Sequence, residues 1–94
     1  MLYLIYCTDK PNSGALRMAN RPAHLAFIKQ YAHQVFAAGP TLGEDGETMT
    51  GSLFLIDFES RAEAEAFSKN DPYQKAGLFE TTEIKPFRKV IPQD

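Results

Sequence analysis

The sequence predicts an α+β fold with the element order β-α-β-β-α-β. Three observations carry this. An opening run of aromatic and β-branched residues spans Leu2 to Thr8, a helical pattern spans Ala15 to Ala38, and a strand pair with a short helix precedes an alternating segment from Phe79 to Val90. The chain has 94 residues, enough for one domain (1–94). A domain of this length buries only about 60–65% of the surface its unfolded chain exposes, so pairing with a second copy is a common source of added stability.

Leu2 to Thr8 is almost continuously apolar, which predicts a central strand. Asp9-Lys10-Pro11-Asn12-Ser13-Gly14 is a loop by composition. Arg21-Pro22 interrupts the helical pattern, because proline is tolerated in a first turn and not in mid-helix. A short helical turn is therefore expected first, then a main helix starting at Pro22 with Asn20 or Arg21 as its cap. Leu25, Ile28, Ala32, Val35 and Phe36 form the core stripe of that helix, flanked by His24, Phe27 and Tyr31, and Gly39-Pro40 stops it. Lys29, Gln30, His33 and Gln34 take the wet side.

Thr41-Leu42-Gly43, the turn residues Glu44-Asp45-Gly46-Glu47 and a strand from Thr48 to Phe58 make a β-hairpin. Ser60-Arg61-Ala62-Glu63 has the form of a capping box, and the helix it opens runs to about Lys69, burying Ala62, Ala66 and Phe67. Asp71 then caps a short turn with Pro72 at its first position, and Gly77 closes it. A final strand carries Pro86. This order is the split-βαβ arrangement of the ferredoxin-like fold, a four-stranded antiparallel sheet with both helices on one face. Tyr3, Phe54, Phe58 and Phe87 are too apolar for an open sheet face, which predicts a homodimer through the sheet face.

Composition excludes several function classes. The net charge is −2 and the basic residues are scattered, which argues against a nucleic-acid partner. No apolar run approaches the roughly 20 residues that span a bilayer, so no membrane partner is expected. The N-terminus lacks the positive region of a signal peptide. Cys7 is the one cysteine, so no internal disulfide forms, in keeping with a cytoplasmic protein. Two histidines without a nearby Cys/Asp/Glu cluster give no metal site, and the glycines give no phosphate-binding pattern, so no cofactor is expected.

The chemistry centres on His24 and the turn Asn70-Asp71-Pro72-Tyr73. A carboxylate beside an imidazole orients it and raises its basicity, which makes a minimal acid–base device. On this reading His24 lies near a helix start, where the dipole favours the neutral ring that a general base needs. Asp71 has two readings, as a helix cap and as the partner of His24, and it can do both. Tyr6 and Tyr73 either offer hydroxyls to a developing oxyanion or pack in the core. Arg21 either binds a substrate carboxylate or is an exposed helix-start arginine, and Arg17 shares that ambiguity. Ser13 and Asn12 can line the mouth of a pocket. Cys7, in an apolar strand, is expected to be inert.

Four segments together resemble a known family: the opening strand with its helical turn, Arg21-Pro22-Ala23-His24-Leu25, Ala38-Gly39-Pro40, and Asn70-Asp71-Pro72-Tyr73. With Gly51 and Lys85-Pro86-Phe87 added, nearly the whole chain is similar to the YciI-like proteins of the dimeric α+β barrel superfamily. The resemblance implies a ferredoxin-like protomer, a dimer or larger assembly, and a pocket whose histidine and aspartate match His24 and Asp71. That family is similar to the muconolactone isomerase group, and one branch is linked to dehydrochlorination of chlorinated hydroquinones. The expected function is a cofactor-independent lyase or isomerase acting on a small aromatic or lactone-like organic acid. A non-catalytic module for metabolite binding or assembly is the alternative.

Overall fold

The opening apolar run forms strand β1 (Leu2–Asp9) in the computed structural model, which describes residues 1–93. Helix α1 (Gly14–Lys29), strands β2 (Val35–Leu42) and β3 (Met49–Asp57), helices α2 (Arg61–Asn70) and α3 (Pro72–Lys75), and strand β4 (Phe79–Phe87) follow. The strands form one sheet in the order β2-β3-β1-β4, and each neighbouring pair is antiparallel. This is the ferredoxin-like α+β fold that the sequence predicts. β1 is central as expected, and Pro86 lies on the edge strand β4, where a missing N–H is tolerated.

Helix α1 departs from the expectation. It runs unbroken through Pro22 and ends at Lys29, well short of Ala38. Arg17 and His24, both buried, flank Pro22 and tie the two halves of the helix to Ser52 and Asp71. Its inward face is Arg17 and His24 with the half-buried Phe27 and Ile28, while Leu25 is 46% exposed. Val35, Phe36 and Gly39-Pro40 belong to β2, where the chain returns to pair with β3. The apolar stripe read from the sequence thus combined residues of a helix with residues of a strand.

The core lies between the sheet and the helices. Tyr3, Ile5 and Cys7 of β1 and Phe54 and Ile56 of β3 alternate onto that face, with Phe58 just beyond. Phe67 of α2 sits at the centre, its ring centroid 5.2 Å from Phe27, 4.9 Å from Tyr31 and 5.5 Å from both Phe54 and Phe58. Ala64 is its buried neighbour on α2, whereas Ala62 and Ala66 are exposed. Ser60 caps α2 by accepting the Glu63 amide at 3.3 Å.

Tyr3, Phe54 and Phe58 therefore pack under the helices and do not need a second subunit to cover them. Strand side chains alternate, so a face assigned one residue out exchanges every inward and outward side chain. The open face carries the cross-strand pairs Leu4 with Leu55, Tyr6 with Leu53, and Leu2 with Phe87. Phe87 is there as expected, 41% exposed.

The β2–β3 connection is held by Asp45, which accepts the Thr48 hydroxyl at 2.5 Å and the amides of Glu47 and Thr48 at 2.9 Å. These bonds, the hydroxyl first, hold its carboxyl down at about 2. Gly46 takes the left-handed conformation there, with φ +73°.

Candidate functional site

Asp71 joins α2 to α3, in extended conformation with its side chain turned inward and 1% exposed. Its Oδ1 accepts the Tyr73 amide at 3.0 Å, which starts α3 as an N-cap. The same oxygen lies 2.8 Å from His24 Nδ1. Both roles open to Asp71 in the sequence are thus compatible, and one oxygen serves both. An ionised carboxylate only accepts hydrogen bonds, so the proton of this contact sits on Nδ1, the tautomer whose neutral form has its lone pair on Nε2. His24 lies ten residues past Gly14 in α1, not near the helix start as expected, so the dipole of the first turn is remote from it. The carboxylate orients the ring instead.

The imidazole is also held by stacking. Tyr73 lies against it with ring centroids 4.0 Å apart and planes 13° from parallel. Phe54 closes another side at 5.9 Å. The Arg17 Cζ sits 4.6 Å from the centre of the Tyr73 ring. Tyr73 is 1% exposed, so burial pushes its phenol up, while the charges of Arg17 and Arg21 pull it partly back. It stays protonated at neutral pH.

Arg17 is itself buried. Its Nε donates to Asp9 Oδ2 at 2.8 Å, and its Nη2 donates to Asp9 Oδ1 at 3.1 Å and to Ser52 Oγ at 2.9 Å. Burial works to discharge this guanidinium, but the bonds and charge of Asp9 outweigh it and raise Arg17 above its ordinary value. The sequence marks Arg17 only as an ambiguous binder and misses Asp9 and Ser52 altogether. The available signal was spacing, since Arg17 precedes His24 by two helical turns and shares its face.

These groups surround a cavity of about 110 Å³ between α1 and the β2–β3 side of the sheet. Arg17, Arg21, His24, Ser52 and Tyr73 supply its polar lining. Leu25, Ile28, Pro40, Met49 and Phe54 supply apolar walls. Two expected members lie elsewhere. Tyr6 is on the opposite face of the sheet, paired with Leu53 and Glu83, because it is an even-numbered neighbour of the inward Ile5 and Cys7. Ser13 donates to the Pro11 carbonyl at 3.3 Å and lines a separate cleft beside Asn12 and Thr48. Burial pushes the Cys7 thiol up to about 11. Among the described residues no group of three or more His, Cys, Asp or Glu could hold a metal ion, and no helix is long and apolar enough to cross a membrane.

Fold and site together define a ferredoxin-like α+β protein with a buried histidine–aspartate pair at a small cavity. Residues 1–88 match the YCII-related domain, and the chain belongs to that family. It is 41% identical to the protein YciI of Escherichia coli over 97% of this chain and 100% of that one. It is 36% identical to an uncharacterized protein of Haemophilus influenzae, again over 97% of this chain and 100% of the relative. A solved structure, 5-chloro-2-hydroxyhydroquinone dehydrochlorinase from Burkholderia phenoliruptrix in complex with 2,5-dihydroxybenzoquinone, is similar with a TM-score of 0.90 and 39% identity, covering 100% of both chains. A NIPSNAP domain protein from Burkholderia xenovorans shares the fold alone, with a TM-score of 0.56 and 13% identity over 99% of this chain and 98% of that one.

Proposed function

We propose that the protein is an enzyme that moves a proton on a small aromatic or lactone-like organic acid, without a cofactor, in an isomerisation or an elimination. The observation that carries this reading is the 2.8 Å contact between His24 and Asp71 at the wall of the cavity. His24 is the base, taking a proton at Nε2, and Asp71 fixes the tautomer and steadies the imidazolium that forms. Tyr73 keeps the ring in plane. The full-length similarity to a dehydrochlorinase of a chlorinated hydroxyhydroquinone favours elimination as the first reaction to try. In such a step the base takes the proton, the freed electron pair forms the new π bond, and chloride leaves with the electrons of its own bond.

The test is chloride release from 5-chloro-2-hydroxyhydroquinone, with a lactone panel run beside it. Wild type should turn over at least one compound, and His24→Asn should lose roughly 10²–10⁴-fold in rate, the usual share of a general base. Equal turnover by both proteins rules out this role for His24. Thermal stabilisation by ring ligands with no turnover replaces the enzyme by a binding module.

The same reading includes a homodimer formed through the open sheet face. The pairs Leu4–Leu55, Tyr6–Leu53 and Leu2–Phe87 put apolar side chains there, bordered by Lys85 and Glu83 of β4. A second copy laid on that face buries the same residues twice, as a two-fold interface requires. Leu53→Glu places two charges at that contact and should yield a monomer by light scattering. A wild-type monomer at micromolar concentration contradicts the proposal.

A further inference from the structure

Two arginines line the cavity, and their surroundings separate them. Arg17 is 3% exposed, with Nε and Nη2 committed to Asp9 and Ser52. Its charge is neutralised and its position is locked. Arg21, one turn later on α1, is exposed and makes no ion pair or side-chain hydrogen bond with any described residue. No carboxylate lines the cavity: Asp9 is held by Arg17, and Asp71 is turned to His24. The resting site therefore offers one uncompensated positive charge, and that charge stands at the opening.

We infer that Arg21 is the anchor of the site, gripping a negatively charged oxygen of the substrate — a ring carboxylate or an ionised ring hydroxyl — and so selecting anionic rings over neutral ones. This rests on the proposal that the cavity takes the substrate. Arg21 and His24 are three residues apart on α1, and side chains at that spacing are neighbours, about 5–6 Å apart at Cβ. An oxygen held by Arg21 thus brings the attached ring against the imidazole edge, with Leu25, Pro40 and Met49 as the apolar wall. The guanidinium fork matches a carboxylate or a pair of adjacent oxygens, which fixes orientation as well as charge. The anchor also matters after proton transfer. When His24 becomes an imidazolium beside Asp71, that pair is neutral, and the substrate's negative charge still has Arg21 as its counter-ion.

The test measures binding, so it does not depend on turnover. Matched pairs that differ only in charge, benzoate with benzamide and salicylate with salicylamide, are titrated by calorimetry and by the ring resonances of His24. Wild type should bind the anion of each pair about tenfold or more tightly than its amide, an advantage that shrinks as salt is added. Arg21→Gln should bring the two affinities together, and Arg21→Lys should keep part of the preference, because a lysine supplies charge without the fork. Arg21 is exposed, so neither change threatens the fold. Equal affinity for anion and amide in wild type, an unchanged ratio in Arg21→Gln, or saturable binding by neither anion overturns the inference. Preserved anion selectivity in a protein that turns over nothing sinks the acid–base reading and leaves the anchor standing. Turnover without charge selectivity does the reverse.

Discussion

His24 Nδ1 and Asp71 Oδ1 meet at 2.8 Å across 47 residues of sequence, and that same oxygen accepts the Tyr73 amide at 3.0 Å. One atom thus links the orientation of the imidazole to the start of a helix. The two roles differ in what they need from the side chain. A cap needs an oxygen acceptor; an acid–base partner needs a negative charge.

Asp71→Asn should therefore separate them. Asparagine caps a helix about as well as aspartate, so the variant should fold with little loss of stability. It cannot balance an imidazolium, and turnover should fall by about 10²-fold or more. Asp71→Ala loses the cap, roughly 1 kcal/mol, and leaves a buried ring N–H without a partner, roughly 1–3 kcal/mol more. Denaturant melts of the three proteins check this, and equal destabilisation by Asn and Ala would show that charge, not capping, holds the turn.

Arg17 and Asp9 provide a second test, because both side chains are nearly covered, at 4% and 8% exposure. Removing one member leaves the other charge buried and unpaired, a loss of roughly 3–5 kcal/mol. Arg17→Met and Asp9→Asn should each approach that loss, and the double variant should cost less than their sum. Additive losses in the cycle would mean that the pair is not coupled in solution. Arg17→Met also removes the cation from the face of Tyr73, so His24 ring resonances should broaden or move in that variant.

The parts of the site legible in the sequence are those fixed by local rules. Asp71-Pro72 has the residue types of a cap with proline at the first helical position, and the strand–helix order follows from periodicity and turn residues. Arg17 was not legible, because its burial depends on Asp9 of β1 and Ser52 of β3, partners that only the folded sheet brings together. The end of α1 was hidden for a related reason. Ala32, Val35 and Phe36 continue a helical spacing by coincidence: Ala32 lies in the turn after α1, and Val35 and Phe36 belong to β2, which pairs with β3. Alternation along β1 and β3 was legible, but which set faces the helices was not, and that exchange removed Tyr6 from the site.

Gly51 marks a place where strand spacing permits no side chain. A Cβ there would stand 2.1 Å from the Cys7 carbonyl oxygen and 2.9 Å from Thr41 Oγ1. The nearer atom is backbone of the central strand and cannot move aside without breaking the β1–β3 register. Gly51→Ala should cost roughly 3 kcal/mol or more. Gly39→Ala, where a Cβ meets nothing within 4 Å, is the control and should change stability little. Similar melts for both variants would refute the close approach at Gly51.

Cys7 makes stability depend on pH on the alkaline side. Burial raises its thiol from 9.0 to about 11, against a weaker opposing pull from the Thr82 hydroxyl. Below pH 9 the thiol is protonated in both folded and unfolded chains and contributes no dependence. Between 9 and 11 the unfolded chain releases this proton while the folded chain retains it, so the unfolded state binds fewer protons and stability falls as pH rises. At 1.36 kcal/mol per pH unit the loss from this group totals about 2 to 3 kcal/mol. Lysines and tyrosines titrate in the same range, so the quantity to measure is the difference between wild type and Cys7→Ala in urea melts. That difference should shift against wild type across the interval, whereas a constant difference would mean that the thiol ionises as readily in the folded protein as in the unfolded chain.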